Sequence, residues 1–66
     1  MRILLNGRGH EGPEGETVLA LLEMAGLPTG RVAVEVNGRV VPRGDIPHHV
    51  LQDGDRVEVV HFVGGG

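Results

Sequence analysis

The spacing of apolar positions along the chain changes from two, to about 3.6, and back to two. In Arg2-Ile3-Leu4-Leu5-Asn6 the alternation puts Ile3 and Leu5 on one face of a strand, and Arg2, Leu4 and Asn6 on the other. Asn6-Gly7 is a turn pair. Arg8 to Gly12 is expected as a short return strand, ended by Pro13-Glu14-Gly15. Thr17 then stands where a helix N-cap belongs, its hydroxyl accepting from an otherwise unpaired amide. Val18, Leu21, Leu22 and Ala25 follow at i, i+3, i+4 and i+7, the pattern of one buried helical face. Gly26 occupies the glycine cap position and Pro28 blocks continuation, which predicts a helix of about two and a half turns.

Beyond the helix the period returns to two. Val32 to Val36 and Arg39 to Val41 flank Asn37-Gly38, a strong short hairpin signal. A two-residue turn there pairs Val36 with Arg39 and Val34 with Val41. Val34, Val36 and Val41 then face the core and Val40 faces out. Pro42 ends the strand because it cannot donate to a ladder. Arg43 to Leu51 is expected as an irregular connection with a helical turn over Asp45 to His49, and with Ile46, Val50 and Leu51 plugging the core. Asp53-Gly54-Asp55 is a tight turn. It launches a last strand with Val57 and Val59 inward, and Glu58, Val60 and Phe62 outward.

The element order is β-β-α-β-β, an α+β pattern. Its natural compact solution is a four-stranded mixed sheet with the single helix packed across one face. The first and last strands become parallel neighbours in the middle, which is the β-grasp, or ubiquitin-like, arrangement. Residues 1–63 form this domain, and residues 64–66 are expected as a flexible glycine tail.

Composition narrows the function more than the fold. With 66 residues there is one domain and no room for both a core and a deep active-site cleft. There is no cysteine, hence no disulfide, thiolate metal site or cysteine nucleophile. All six basic residues are arginine, so no side-chain amine is available for isopeptide or Schiff-base chemistry. The net charge of −3 and a single aromatic residue, Phe62, argue against a nucleic-acid partner. No apolar run suits a signal peptide or a membrane span, so no membrane partner and a cytoplasmic location are expected. His48 and His49 are adjacent and diverge on a turn, while His10 and His61 fall on different strands, so no metal site is expected. Glu11, Glu14 and Glu16 read as a solvated loop and helix start, not a catalytic pair.

What remains chemically distinctive is Gly64-Gly65-Gly66. Glycine loses the most backbone freedom on ordering, so such a run does not serve stability. It offers a slim backbone and, on Gly66, a carboxylate. Leu4, Val60 and Phe62 are expected on the outer face of adjacent central strands next to this tail. An exposed apolar patch there reads as a partner-binding surface.

The stretches "ILLNG", "GETVLALLE", "VAVEVNGRVVPR" and "LQDGDRVEVV", with the terminal glycines, together resemble the ubiquitin-like sulfur carriers of thiamine biosynthesis, the ThiS family. The resemblance covers essentially the whole chain. It implies a protein co-substrate that is not itself an enzyme and binds no cofactor. The Gly66 carboxylate would be adenylated by an E1-like adenylyltransferase of the ThiF type using ATP, then converted to a thiocarboxylate. The sulfur would come from a donor such as a cysteine desulfurase or rhodanese, and would pass to a thiazole synthase of the ThiG type. Gly64 and Gly65 would give the steric slimness needed to thread a narrow channel. A sulfur carrier for molybdopterin or another thiolation pathway, a ubiquitin-like protein modifier, and a plain interaction module remain alternatives at this point.

Overall fold

The computed structural model describes residues 1–62. Five strands form one mixed sheet in the order β2-β1-β5-β3-β4. They are β1 (Arg2–Leu5), β2 (Arg8–Glu11), β3 (Val32–Val36), β4 (Arg39–Val41) and β5 (Arg56–His61), with helix α1 (Val18–Met24) between β2 and β3. The expected parallel pairing of first and last strands is present at Leu4–Arg56 and Leu5–Val57. The strand count is five where four were expected. The alternating pattern itself marks five segments, Arg39–Val41 among them, and all five fit one sheet because β5 pairs with both β1 and β3 and so joins the two hairpins.

Both Asn-Gly pairs adopt left-handed backbone: φ is 49° and 81° at Asn6 and Gly7, and 54° and 83° at Asn37 and Gly38. Two consecutive positive φ values match the twist of a two-residue hairpin, and these residue types reach them at least cost. The registers follow. Val34 faces Val41 and Val36 faces Arg39, as the sequence predicts.

The helix begins as expected, with the Thr17 Oγ1 accepting from the Ala20 N–H at 3.1 Å. It spans seven residues, close to two turns. Its end is a Schellman cap, in which Gly26 N–H donates to Glu23 C=O and Leu27 N–H to Leu22 C=O. Ala25, expected in the buried stripe, is exposed. It is the capping residue at the point where the chain leaves the sheet, and Leu27, half-buried after the cap, packs against the core instead.

Val18, Leu21 and Leu22 from α1 meet Ile3, Val34, Val36, Val41 and Val57 from the sheet. Ile46 and Leu51 close the side of this core, but Val50 does not: it is 46% exposed. Val50 and Leu51 are consecutive in an extended segment held by a bridge from Thr17 to Val50. Successive side chains in extended backbone point to opposite sides, so only one of the two can face the core. The helical turn of this connection lies slightly earlier than expected, as a 3-10 turn over Arg43–Asp45. Amides of His48 and His49 both donate to Asp45 C=O and carry the turn forward.

Glu16 also departs from the expectation of a solvated helix start. It is 3% exposed, and neither carboxylate oxygen has a hydrogen-bond partner. Its backbone C=O accepts from Leu51 N–H, and this pairing turns the side chain under the loop that follows β2. The half-buried His10 presents Nε2 at 3.6 Å from the Glu16 Oε1. Gly12 lies so close that a Cβ there would overlap the Glu16 carboxylate.

Candidate functional site

β5 is the strand that leads to the glycine residues, and it lies in the middle of the sheet. Its start is fixed by a small buried polar network. Asp55 is 8% exposed. Its Oδ2 accepts from Gln52 N–H at 2.8 Å and its Oδ1 from the Asn37 side-chain amide at 2.9 Å. The Asn37 Oδ1 in turn accepts from Arg56 N–H at 2.9 Å. A buried carboxylate is tolerable when its lone pairs are filled in this way.

Farther along β5 the other hairpin grips it from the opposite side. The Asn6 Oδ1 accepts from Val59 N–H at 2.7 Å, and its Nδ2 donates to Val59 C=O at 3.4 Å. A side-chain amide here copies a backbone peptide and extends the β1–β5 ladder past the turn. Beyond this point Val32 pairs with His61, and Phe62 N–H donates to Arg31 C=O at 2.9 Å. β5 therefore outruns β1 and keeps β3 as its neighbour up to Phe62.

The outer face of the sheet, away from α1, carries the expected apolar residues. Leu4 is 42% exposed, Val60 55% and Phe62 57%. Leu4 is offset from Val60 and Phe62 along the adjacent strands β1 and β5. The parallel register places Leu4 beside Arg56. Val60 is four residues further along β5, about 13 Å at strand rise. Val60 and Phe62 adjoin the glycine residues in sequence, whereas Leu4 lies near the start of β5. The sequence shows which face each residue takes, because that needs only parity. It does not show how far the strands are shifted along one another. The expected tail, with Gly64, Gly65 and Gly66, lies outside the described residues.

Among the described residues, no group of three or more His, Asp or Glu side chains could hold a metal ion. No helix among them is long and apolar enough to cross a membrane. Among the described residues an open groove is lined by Arg39, Val40, Pro42, Asp45, His49 and Val50, among others. It sits beside the second hairpin, near the start of β5 and a strand's length from Phe62. Sequence reasoning missed the reach of Asn6 and Asn37 onto β5, and also the burial of Asp55 and Glu16. The one available signal was Gly12, whose missing side chain makes room for Glu16.

Comparison with known proteins agrees with this architecture. The ThiS family model matches residues 3–66, which include the three glycines. The Escherichia coli sulfur carrier protein ThiS is 33% identical over 66 residues, the full length of both chains. The crystal structure of the thiamine biosynthesis protein ThiS from Geobacter metallireducens superposes with a TM-score of 0.82 at 35% identity, covering both chains completely. A thiazole synthase from Magnetococcus marinus is 48% identical over the whole of this chain, which spans only 20% of that protein's length. A match from end to end, through hairpins, helix and the glycine segment together, leaves one assignment: the chain belongs to the ThiS family.

Proposed function

We propose that this domain is a sulfur carrier for thiazole formation in thiamine biosynthesis, working as a protein co-substrate and not as an enzyme. An E1-like partner binds it together with ATP. The Gly66 carboxylate oxygen attacks the α-phosphorus, pyrophosphate leaves, and an acyl-adenylate forms. The outer sulfur of a persulfide, supplied by a desulfurase or rhodanese, then attacks the carbonyl carbon and AMP leaves, giving an acyl disulfide. A thiol of the partner attacks the S–S bond, supplies the two electrons as it becomes a disulfide, and releases the acyl sulfur. The product is a thiocarboxylate. A thiazole synthase takes the sulfur, and an oxygen from water or from the acceptor substrate replaces it on the carbonyl carbon to restore the carboxylate. ATP is thus a substrate of the partner, and the domain holds no cofactor of its own.

The observation that supports this most is the family match running through residue 66, on a fold whose middle strand leads directly into the glycine segment. A chain without cysteine has no sulfur of its own to use as a nucleophile. A transferable sulfur must then sit on a carboxyl carbon, and three extended glycines would hold that carbon roughly 10 Å from Val63. Residues 1–63 serve as the platform and 64–66 as the arm. The similarity to a thiazole synthase five times longer favours thiazole synthase as the receiver over a molybdopterin enzyme.

The test is intact mass. Incubation with the activating enzyme, ATP and a sulfur donor is expected to give the mass change of one oxygen-to-sulfur exchange at Gly66. An unchanged mass overturns the reading. Gly65→Val, or one residue added after Gly66, is expected to abolish activation while the melting temperature stays the same. Activation of either variant contradicts the threading role of the tail.

A further inference from the structure

Three glycines follow an asparagine or aspartate: Asn6-Gly7, Asn37-Gly38 and Asp53-Gly54. At such a pair the glycine amide nitrogen can attack the preceding Cγ and close a cyclic imide, and glycine has no Cβ to hinder the approach. All three pairs are exposed, and the three glycines share a positive φ of 81°, 83° and 87°. Local sequence and backbone treat the pairs alike. What separates them is what each side chain and each glycine nitrogen is bonded to.

Asp53 is held twice. Its Oδ1 accepts from Arg2 N–H at 2.7 Å, and the Gly54 N–H, whose nitrogen would attack, donates to Arg2 C=O at 2.7 Å. Gly7 N–H and Gly38 N–H make no such bond among the described residues. The backbone N–H of each asparagine is paired with β5, Asn6 with Val57 C=O at 2.9 Å and Asn37 with Arg56 C=O at 2.8 Å, so the two differ only in their side chains. The Asn37 carboxamide is tied at both ends, to Asp55 and to Arg56 N–H, each at 2.9 Å. Turning it toward Gly38 breaks both bonds and leaves a buried carboxylate short of a donor. The Asn6 carboxamide has one good bond, from Val59 N–H at 2.7 Å. Its Nδ2, the group that must leave, has only a 3.4 Å contact with Val59 C=O, outside the usual N–H···O range. Water can satisfy the Val59 peptide that it releases.

We infer that Asn6 is a site of spontaneous modification, converted by water through an imide with Gly7 to aspartyl and isoaspartyl forms, while Asn37 and Asp53 are protected by their tethers. The Gly7 nitrogen gives its proton to solvent base and bonds to Asn6 Cγ. The Cγ–Nδ2 bond breaks, and Nδ2 takes up a proton and leaves as ammonia. Water then opens the imide. Cleavage of the new N–Cγ bond gives an aspartate in a normal backbone. Cleavage at the α-carbonyl carbon leaves the chain running through Cβ and Cγ. One water enters and one ammonia departs, and nothing is oxidised or reduced. The isoaspartyl form lengthens a two-residue turn whose geometry fixes the hairpin, and so draws the side-chain oxygen away from Val59.

Trypsin cuts after arginine, and so delivers the three pairs on separate peptides, residues 3–8, 32–39 and 44–56. The full chain is kept folded in mildly alkaline buffer made with isotope-labelled water and sampled over days to weeks. Peptide 3–8 is expected to show amide-to-acid exchange with one labelled oxygen roughly tenfold faster than peptide 32–39, the worth of one retained hydrogen bond. Peptide 44–56 is expected to give no isomer at Asp53 in that time. In urea at the same pH the tethers are gone, and the two asparagines should react at similar rates. Reaction at Asn37 or Asp53 as fast as at Asn6 in the folded chain overturns the inference. So does a folded chain in which Asn6 does not react while the unfolded chain does, or a preference for Asn6 that persists unchanged in urea.

Discussion

The two Asn-Gly hairpins are the same dipeptide with nearly the same backbone angles, yet they secure β5 in different ways. Asn37 works at the start of the strand, itself exposed but bonded to a buried carboxylate. Its side chain joins Arg56 N–H to the buried Asp55, and Asp55 also holds Gln52. Asn6 works farther along, on the exposed side, and its side chain touches only the backbone of Val59. Breaking the first leaves a carboxylate stranded in the core. Breaking the second frees a peptide group that water can satisfy. The local chemistry is alike, and burial sets the difference in cost.

That contrast can be broken by mutation. The largest effect is expected for Asp55→Ala, which removes the two hydrogen bonds that the carboxylate accepts around the start of β5; urea unfolding should show a loss of about 3 kcal/mol. Asn37→Ala should follow at about 2 kcal/mol by the same measurement, because it leaves Asp55 Oδ1 without its partner and places alanine at positive φ. Equal or smaller effects than at Asn6 would contradict the role assigned to burial. Asn6→Ala is expected to cost about 1 kcal/mol. Its signature is local: faster hydrogen exchange at the Val59 amide, with the amides around Asp55 unchanged. Asn6→Asp should cost least, about 0.5 kcal/mol, because the carboxylate keeps the short bond from Val59 N–H and loses only the 3.4 Å one. Global loss of exchange protection in either Asn6 variant would show that the two hairpins are equally central.

The outer and inner faces of the sheet repeat this lesson on a larger scale. Alternation in the sequence assigned Ile3, Val34, Val36, Val41 and Val57 to the core, and all are buried. It assigned Leu4, Val40, Val60 and Phe62 to the outside, and all are exposed. Parity along a strand is a one-dimensional property, so the sequence carries it. How far Leu4 lies from Val60 and Phe62 along that face depends on the shift between β1 and β5, which parity does not carry.

The sequence by itself determined what is local or periodic: both turns, the Thr17 cap, the Gly26 stop and strand parity. Short-range sterics and side-chain spacing dictate all of these. Only the tertiary structure decided what depends on elements far apart in the chain. It turned Glu16 inward beside His10 and stranded Ala25 and Val50 at the surface. It placed Asp55 within reach of Asn37. In each case a neighbour from another element decides the side chain's surroundings, and no periodicity along the chain encodes which neighbour that will be.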